Sequence, residues 1–151
     1  EYSIIRLFNI YGPGQDLTRM DQGLVSIYLS MLLNDKSFVI KGKLDRVRDL
    51  IHIDDVINSI KTVMFSNAGI NQIINVCNGS QVTIDELAKI LIKYFENYSY
   101  NDIIQKEGSP DDILKIYGNN DKLLKIIEYK PIYDIETGVK DFVSWANNQI
   151  K

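Results

Sequence analysis

The sequence predicts an α/β fold whose strands run parallel. The run at residues 4–10 is apolar on both faces, as in strands that helices cover on both sides, and residues 73–77 form another short apolar strand. Residues 22–33 and 54–67 carry apolar side chains at helical spacing. With 45% hydrophobic and 25% charged residues, the 151 residues fit one soluble module without repeats or long linkers.

The first half of the chain is predicted to alternate between strands and helices. Strands are predicted at residues 4–10, 38–41 and 47–53, and helices at 22–33 and from 54 to about 67. Gly12-Pro13-Gly14 closes the first strand, and a charged loop at residues 42–46 joins the next two. Asp21 and Asp54 are the predicted helix caps, because a carboxylate accepts hydrogen bonds from free backbone N–H groups.

The second half continues the alternation with shorter elements. Strands are predicted at residues 73–77, 103–106 and 114–117, and helices at 84–95, about 121–127 and 135–150, the last ending at Ile150. Thr83 and Glu86 form a capping box, while Asn120 or Asp121 caps the small helix. Trp145 lies beside the apolar stripe of the last helix, which favours a packing or interface role over a ligand platform.

Composition excludes several function classes. A net charge of −3 argues against a nucleic-acid binder, which needs a broad basic face. No apolar run approaches the length of a membrane span, and no leader peptide opens the chain, so we expect no membrane partner and a cytoplasmic protein. The single Cys77 excludes an internal disulfide and favours a small buried apolar role.

Four basic residues nevertheless cluster within eight positions: Lys41, Lys43, Arg46 and Arg48. Such a cluster could meet one diphosphate, although a solvated loop balanced by Asp45 and Asp49 explains the composition equally well. The adjacent carboxylates Asp54-Asp55 could be an acid/base or metal pair. A helix N-terminus also favours anions, and this structural interpretation is the stronger one. One histidine, His52, makes a zinc or hydrolytic site improbable.

Two segments carry a resemblance to a known family. Arg6-Leu7-Phe8-Asn9-Ile10-Tyr11-Gly12-Pro13-Gly14 and Arg46-Val47-Arg48-Asp49-Leu50-Ile51-His52-Ile53-Asp54-Asp55-Val56 resemble the substrate-side half of an NAD-dependent sugar-nucleotide epimerase or dehydratase. This family belongs to the extended short-chain dehydrogenases/reductases. The resemblance implies the C-terminal part of a Rossmann-type protein with its small α/β substrate-binding domain. It further implies a single module, residues 1–151, in which residues 1–14 and 70–80 add strands to the Rossmann sheet.

The resemblance also implies roles for individual residues. Arg48 falls on the arginine that grips the nucleotide phosphates, and a planar guanidinium forms paired bonds to phosphate oxygens. Asn9 is expected near the phosphates of the sugar nucleotide, and Gln22 beside its base and ribose. Phe8 and Tyr11 are expected near the nicotinamide of NAD. The implied substrate is a UDP- or dTDP-hexose.

The chain departs from the family at three positions. Lys41 stands where many members have an aromatic or apolar residue, and Leu50 replaces the usual aromatic after Arg-Asp. Ser109-Pro110-Asp111-Asp112 stands where relatives have Arg-Pro-Gly-Asp, so a second phosphate-binding arginine is missing.

The sequence also lacks the family's cofactor loop and catalytic pair. Its nine glycines form no dinucleotide-binding motif, and none of its nine tyrosines has a lysine four residues later. The start at Glu1 suggests a fragment, and we expect the isolated chain to be inactive. An open edge on the first strand predicts self-association, hence a homo-oligomer. The alternatives are a 4,6-dehydratase or reductase of the same family, and a non-catalytic interaction module.

Overall fold

The computed structural model describes residues 1–127 and 130–149. Nine strands are described: β1 (Ser3–Leu7), β2 (Asn9–Tyr11), β3 (Val39–Lys41), β4 (Val47–Arg48), β5 (Leu50–His52), β6 (Gln72–Val76), β7 (Val82–Thr83), β8 (Ile104–Lys106) and β9 (Lys115–Ile116). The helices are α1 (Leu24–Leu33), α2 (Ile53–Met64), α3 (Ile84–Ile92), α4 (Asp121–Ile127) and α5 (Ile135–Gln149). Ile150, the predicted end of the last helix, lies outside the described residues.

Most strand pairs are parallel, as the sequence predicts. β1 pairs with β6, β2 with β5, and β3 with β8, all in parallel register. β4 lies between β9, which is parallel to it, and β7, which is antiparallel. The α/β class is therefore confirmed.

Two predicted strands are each divided into two. The run at residues 4–10 breaks at Phe8, whose N–H donates to the carbonyl of Val76 at 3.2 Å, so that β1 and β2 pair with different strands. The run at residues 47–53 breaks at Asp49, whose N–H donates to the carbonyl of Ile116 at 3.0 Å. The prediction of one continuous strand at each place is wrong, because partners far away in sequence determine where a ladder ends.

The helices and strands enclose two apolar clusters. The larger one joins α1, α3 and α5, and includes the fully buried Leu29, Leu87 and Phe142. The smaller one packs α2 and α4 against β5 and β6. Trp145 stacks on Phe142 with ring centroids 5.8 Å apart, which confirms its packing role.

One of the predicted helix starts is confirmed, and two are wrong. Thr83 and Glu86 form the complete capping box of α3. Asp21 does not cap α1, which follows Gly23; Asp21 instead pairs with Arg19 at 2.7 Å. His52, rather than Asp54, caps α2 by accepting the backbone N–H of Asp54 at 3.4 Å.

The end of α3 differs from its prediction. α3 ends at Ile92, short of the predicted residue 95, although Phe95 still packs on the larger cluster.

Across the described part of the chain, no helix combines the length and apolar character needed to cross a membrane.

Candidate functional site

Asn9 and Gln22 line one cavity of about 290 Å³, here called the amide cavity. Its wall also contains Gln15 and the apolar residues Ile10, Leu24 and Leu50. Asn9 begins β2, and its Nδ2 donates to the carbonyl of Asp49 at 3.0 Å. This bond fixes the Asn9 carboxamide against the junction between β4 and β5. Two of the three predicted substrate residues thus lie together.

Arg48, the third predicted substrate residue, is not part of the wall of the amide cavity. It ends β4, and its side chain is only 11% exposed. Nη1 donates to the carbonyl of Val47 at 2.8 Å, and Nη2 lies 3.4 Å from Oδ1 of Asp112. Burial and the nearby charge of Arg46 lower the pKa of Arg48, and Asp112 opposes them. A guanidinium keeps its charge under such a shift.

A larger opening of about 750 Å³, here called the basic cleft, has Asp112 in its wall. Its lining includes the cations Lys43, Arg46 and Lys106, together with Ser109 and Asp112. Arg46 donates from Nη1 to Oδ2 of Asp112 at 2.6 Å and from Nε to the carbonyl of Lys43 at 2.8 Å. Its Nη2 donates to the carbonyl of Lys41. Arg46 therefore closes the loop at residues 42–46 onto Asp112.

Sequence reasoning gave Arg46 no individual role beyond membership of the basic cluster that could meet one diphosphate. The available signal was the cluster of four basic residues. It does not distinguish an arginine that binds a ligand from one that holds a loop in place. In the structure, Arg46 holds the loop at residues 42–46 in place. Three of its five N–H donors are engaged, which leaves two for a ligand.

Gly42 makes the contact between Arg46 and Asp112 possible. Its φ of +88° lies in the left-handed region. A Cβ atom at this position would lie 2.5 Å from Oδ2 of Asp112 and 2.9 Å from Cζ of Arg46. Any side chain there would force the ion pair apart.

Asp49, the residue between β4 and β5, joins two loops through its side chain. Its buried carboxylate accepts the backbone N–H groups of Asn78 at 2.8 Å, Gly79 at 3.0 Å and Gly118 at 3.3 Å. Burial raises the pKa of Asp49, and these hydrogen bonds oppose the rise. Asp49 therefore fixes the loops at residues 78–79 and 118 to the junction between β4 and β5.

Asp54, Asp55 and His52 also have structural contacts. Asp55 is buried and accepts the N–H groups of Ile132 at 2.9 Å and Tyr133 at 3.1 Å, which ties α2 to the segment before α5. His52 is fully buried and stacks on Tyr133 with centroids 3.9 Å apart. Within residues 1–127 and 130–149, no three His, Cys, Asp or Glu side chains are grouped as a metal site would require.

The two cofactor-adjacent candidates differ in position. Tyr11 is 2% exposed beneath α5, where a Cβ at Gly138 would lie 2.1 Å from its hydroxyl oxygen. Burial and nearby carboxylates raise the pKa of Tyr11 above its ordinary value. Phe8 is half-buried against Gly118. Without a glycine-rich loop, the residues of this chain do not by themselves fit a dinucleotide, and both roles stay predictions.

The fold and the segment around Arg48 together resemble one class of protein. A comparison with a family model identifies that class. A model described as the NAD-dependent epimerase/dehydratase family matches residues 1–77. The chain belongs to the NAD-dependent epimerase/dehydratase family, which confirms the resemblance and NAD as the cofactor of the family.

Individual relatives agree with this assignment. A putative UDP-glucose 4-epimerase of Methanocaldococcus jannaschii is 30% identical over 150 residues, which are 98% of this chain and 46% of the relative. The solved UDP-glucose 4-epimerase of Thermotoga maritima with UDP-glucose has a TM-score of 0.90 and 25% identity, covering 99% of this chain and 47% of that one.

A second structure matches in fold. The UDP-glucuronic acid 4-epimerase of Bacillus cereus, in complex with UDP-glucuronic acid and NAD, has a TM-score of 0.84 and 22% identity, covering 97% of this chain and 45% of that one. The chain thus spans a little under half the length of these relatives. Its Rossmann-type fold class is confirmed.

Proposed function

We propose that this chain is the substrate-binding portion of an NAD-dependent sugar-nucleotide epimerase similar to UDP-glucose 4-epimerase. The observation that supports this best is the sharing of Asp112 by Arg46 and Arg48 beside the basic cleft. Two guanidinium groups around one carboxylate leave an excess positive charge. A nucleotide diphosphate is the ligand that matches this charge.

Arg48 is the proposed main phosphate ligand. Two of its five N–H donors are engaged, so a bidentate contact with phosphate oxygens needs no loss of existing bonds. Ser109 stands where the second arginine is expected, and Arg46 supplies a nearby positive charge instead. Loss of Arg48 should weaken nucleotide binding roughly tenfold to a hundredfold.

The test is a calorimetric titration with UDP-, dTDP-, CDP- and GDP-hexoses. Saturable binding of one nucleotide, lost in Arg48→Ala, supports the proposal and identifies the base. The matched control is Arg19→Ala, because Arg19 is an exposed arginine that pairs with Asp21 and not with Asp112. Affinity that is equal in wild type and Arg48→Ala contradicts the proposal, and it favours a non-catalytic interaction module.

We also propose that the chain alone does not turn over a sugar nucleotide. Epimerisation in the family needs a tyrosine–lysine pair that moves a proton, and NAD supplies the hydride chemistry. This sequence has neither a Tyr-x-x-x-Lys motif nor a dinucleotide loop. Measurable epimerase activity with added NAD, in a preparation free of full-length enzyme, would sink this part of the proposal.

A further inference from the structure

The amide cavity contains one carboxamide with no assigned role, that of Gln15. Its Oε1 is shielded from solvent and accepts no hydrogen bond from any described residue. Buried acceptors without a partner are rare in folded proteins, and each needs an explanation. Because Gln15 lines the cavity, a ligand bound there could supply the missing donor to its side chain.

Packing, rather than hydrogen bonding, holds the Gln15 side chain in place. The backbone N–H of Gln15 donates to the carbonyl of Gly12 at 3.4 Å, which places the residue at the end of the Gly12-Pro13-Gly14 turn. Its carboxamide lies against Gly23, where a Cβ atom would be 2.2 Å from Nε2. Gly23 therefore leaves room for Gln15 at the start of α1.

The chemistry of the cavity wall indicates the kind of ligand. Among the described residues, its polar side chains are three carboxamides, Asn9, Gln15 and Gln22, and no Lys, Arg, Asp or Glu lines it. The cations suited to phosphate lie around Asp112 instead. An unpaired carbonyl oxygen in a neutral cavity favours a neutral hydroxyl donor.

We infer that Oε1 of Gln15 accepts a hydrogen bond from a hydroxyl group of a neutral sugar ring bound in the amide cavity. This inference rests on the proposed function and assigns its sugar-recognising contact to a residue outside the phosphate site. The ring is either the ribose of the nucleotide or the hexose, since both present hydroxyl groups of the same chemistry.

The test uses Gln15→Met, which keeps the side-chain length and removes the acceptor. In calorimetric titrations we expect its affinity for UDP-glucose to fall about tenfold. An equal fall for UDP assigns the contact to the ribose, and a fall for UDP-glucose alone assigns it to the hexose. Gln81→Met is the matched control, because Gln81 is exposed and lies outside the cavity.

Thermal unfolding without ligand gives the second readout. Because Oε1 has no partner among the described residues, Gln15→Met should melt at the same temperature as wild type or higher. A lower melting temperature would show that Gln15 holds the fold together, and would overturn the inference. Unchanged affinity in Gln15→Met also overturns it and leaves the proposed function standing. If the wild type binds none of the UDP-, dTDP-, CDP- and GDP-hexoses, both the inference and the proposed function are overturned.

Discussion

Nε2 of His52 lies 3.4 Å from Oδ2 of Asp141, across the contact between β5 and α5. Nδ1 of His52 accepts the backbone N–H of Asp54, so the neutral ring carries its proton on Nε2, facing Asp141. Tyr11 and Tyr133 flank the ring, and Asp54 and Asp55 contribute further negative charge. A fully buried imidazole is thus surrounded by three carboxylates.

The stability of the fold should depend on pH through His52. Burial lowers its pKa, and Asp54, Asp141 and Asp55 oppose this shift. The folded state therefore binds fewer protons than the unfolded state, whose histidine pKa is about 6.5. The stabilising contribution is present above that pKa and is lost as pH falls through it towards the folded pKa.

Asp141→Asn should make the loss on acidification larger, because it removes one opposing carboxylate. The measurement is the free energy of unfolding in urea at about pH 7.5 and about pH 5.5. NMR titration of the only imidazole reports its pKa directly. Asp111→Asn, at an exposed acid, is the control. An equal pH dependence in wild type and Asp141→Asn would refute the coupling.

Asp49→Ala should destabilise the protein strongly. The substitution leaves three backbone N–H groups, those of Asn78, Gly79 and Gly118, without their acceptor. Asn78 and Gly118 are half-buried and Gly79 is exposed, so water replaces part of the lost acceptor. At about 1 kcal/mol for each hydrogen bond, we expect a total loss of about 3 kcal/mol. Urea denaturation measures the change. Asp45→Ala, on the exposed loop nearby, should change stability by less than about 0.5 kcal/mol. Comparable losses in both variants would contradict the prediction.

Asp112→Asn should expose the repulsion between Arg46 and Arg48. Both guanidinium groups are 11% exposed and lose their shared counter-charge, so stability should fall by about 2 kcal/mol at low salt. Phosphate should restore stability better than chloride at equal ionic strength, because one dianion can replace the carboxylate. Asp111→Asn again serves as the control. Equal rescue by both salts would indicate simple screening.

Self-association should depend on the face of β1 and β6. Ile4 and Ile73 lie opposite each other in the parallel register and are 46% and 42% exposed. Within residues 1–127 and 130–149, β1 has a ladder partner on one side only, so its other edge is open. Sedimentation velocity should show larger species as concentration rises.

Ile4→Lys should shift this equilibrium towards monomer. Ile113→Lys, at another exposed isoleucine outside β1 and β6, is the control and should have no such effect. A monodisperse wild-type monomer across micromolar concentrations would exclude the association.

Features determined by neighbours in the chain could be predicted from the sequence. The Thr83–Glu86 capping box needs two residues three positions apart, and the helical stripes need only periodicity. The caps of α1 and α2 could not be predicted, since Asp21 and Asp54 both match the cap pattern. The breaks at Phe8 and Asp49 depend on Val76 and Ile116, more than sixty residues away.

The same distinction applies to the candidate site. Arg48 and Asn9 are candidates because they stand in short motifs that resemble those of the family. Arg46 could not be assigned, because its bond to Asp112 spans 66 positions of the sequence. Gln15 carried no sequence signal, since an unpaired oxygen is visible only once the surrounding atoms are placed. The roles of Asn9, Gln22, Arg48, Phe8 and Tyr11 towards ligands stay predictions.

The division of the first apolar run at Phe8 links two parts of the molecule mechanically. β1 is fixed to β6 and β2 to β5, with a single residue between them, so neither pair can slide without displacing the other. Asn9 is the first residue after Phe8, which separates β1 from β2. A change in the packing of β6, for example at the fully buried Ile74, would therefore reposition the wall of the amide cavity without touching it. Substitutions remote from the proposed sugar-nucleotide site would in this way alter its affinity for a ligand.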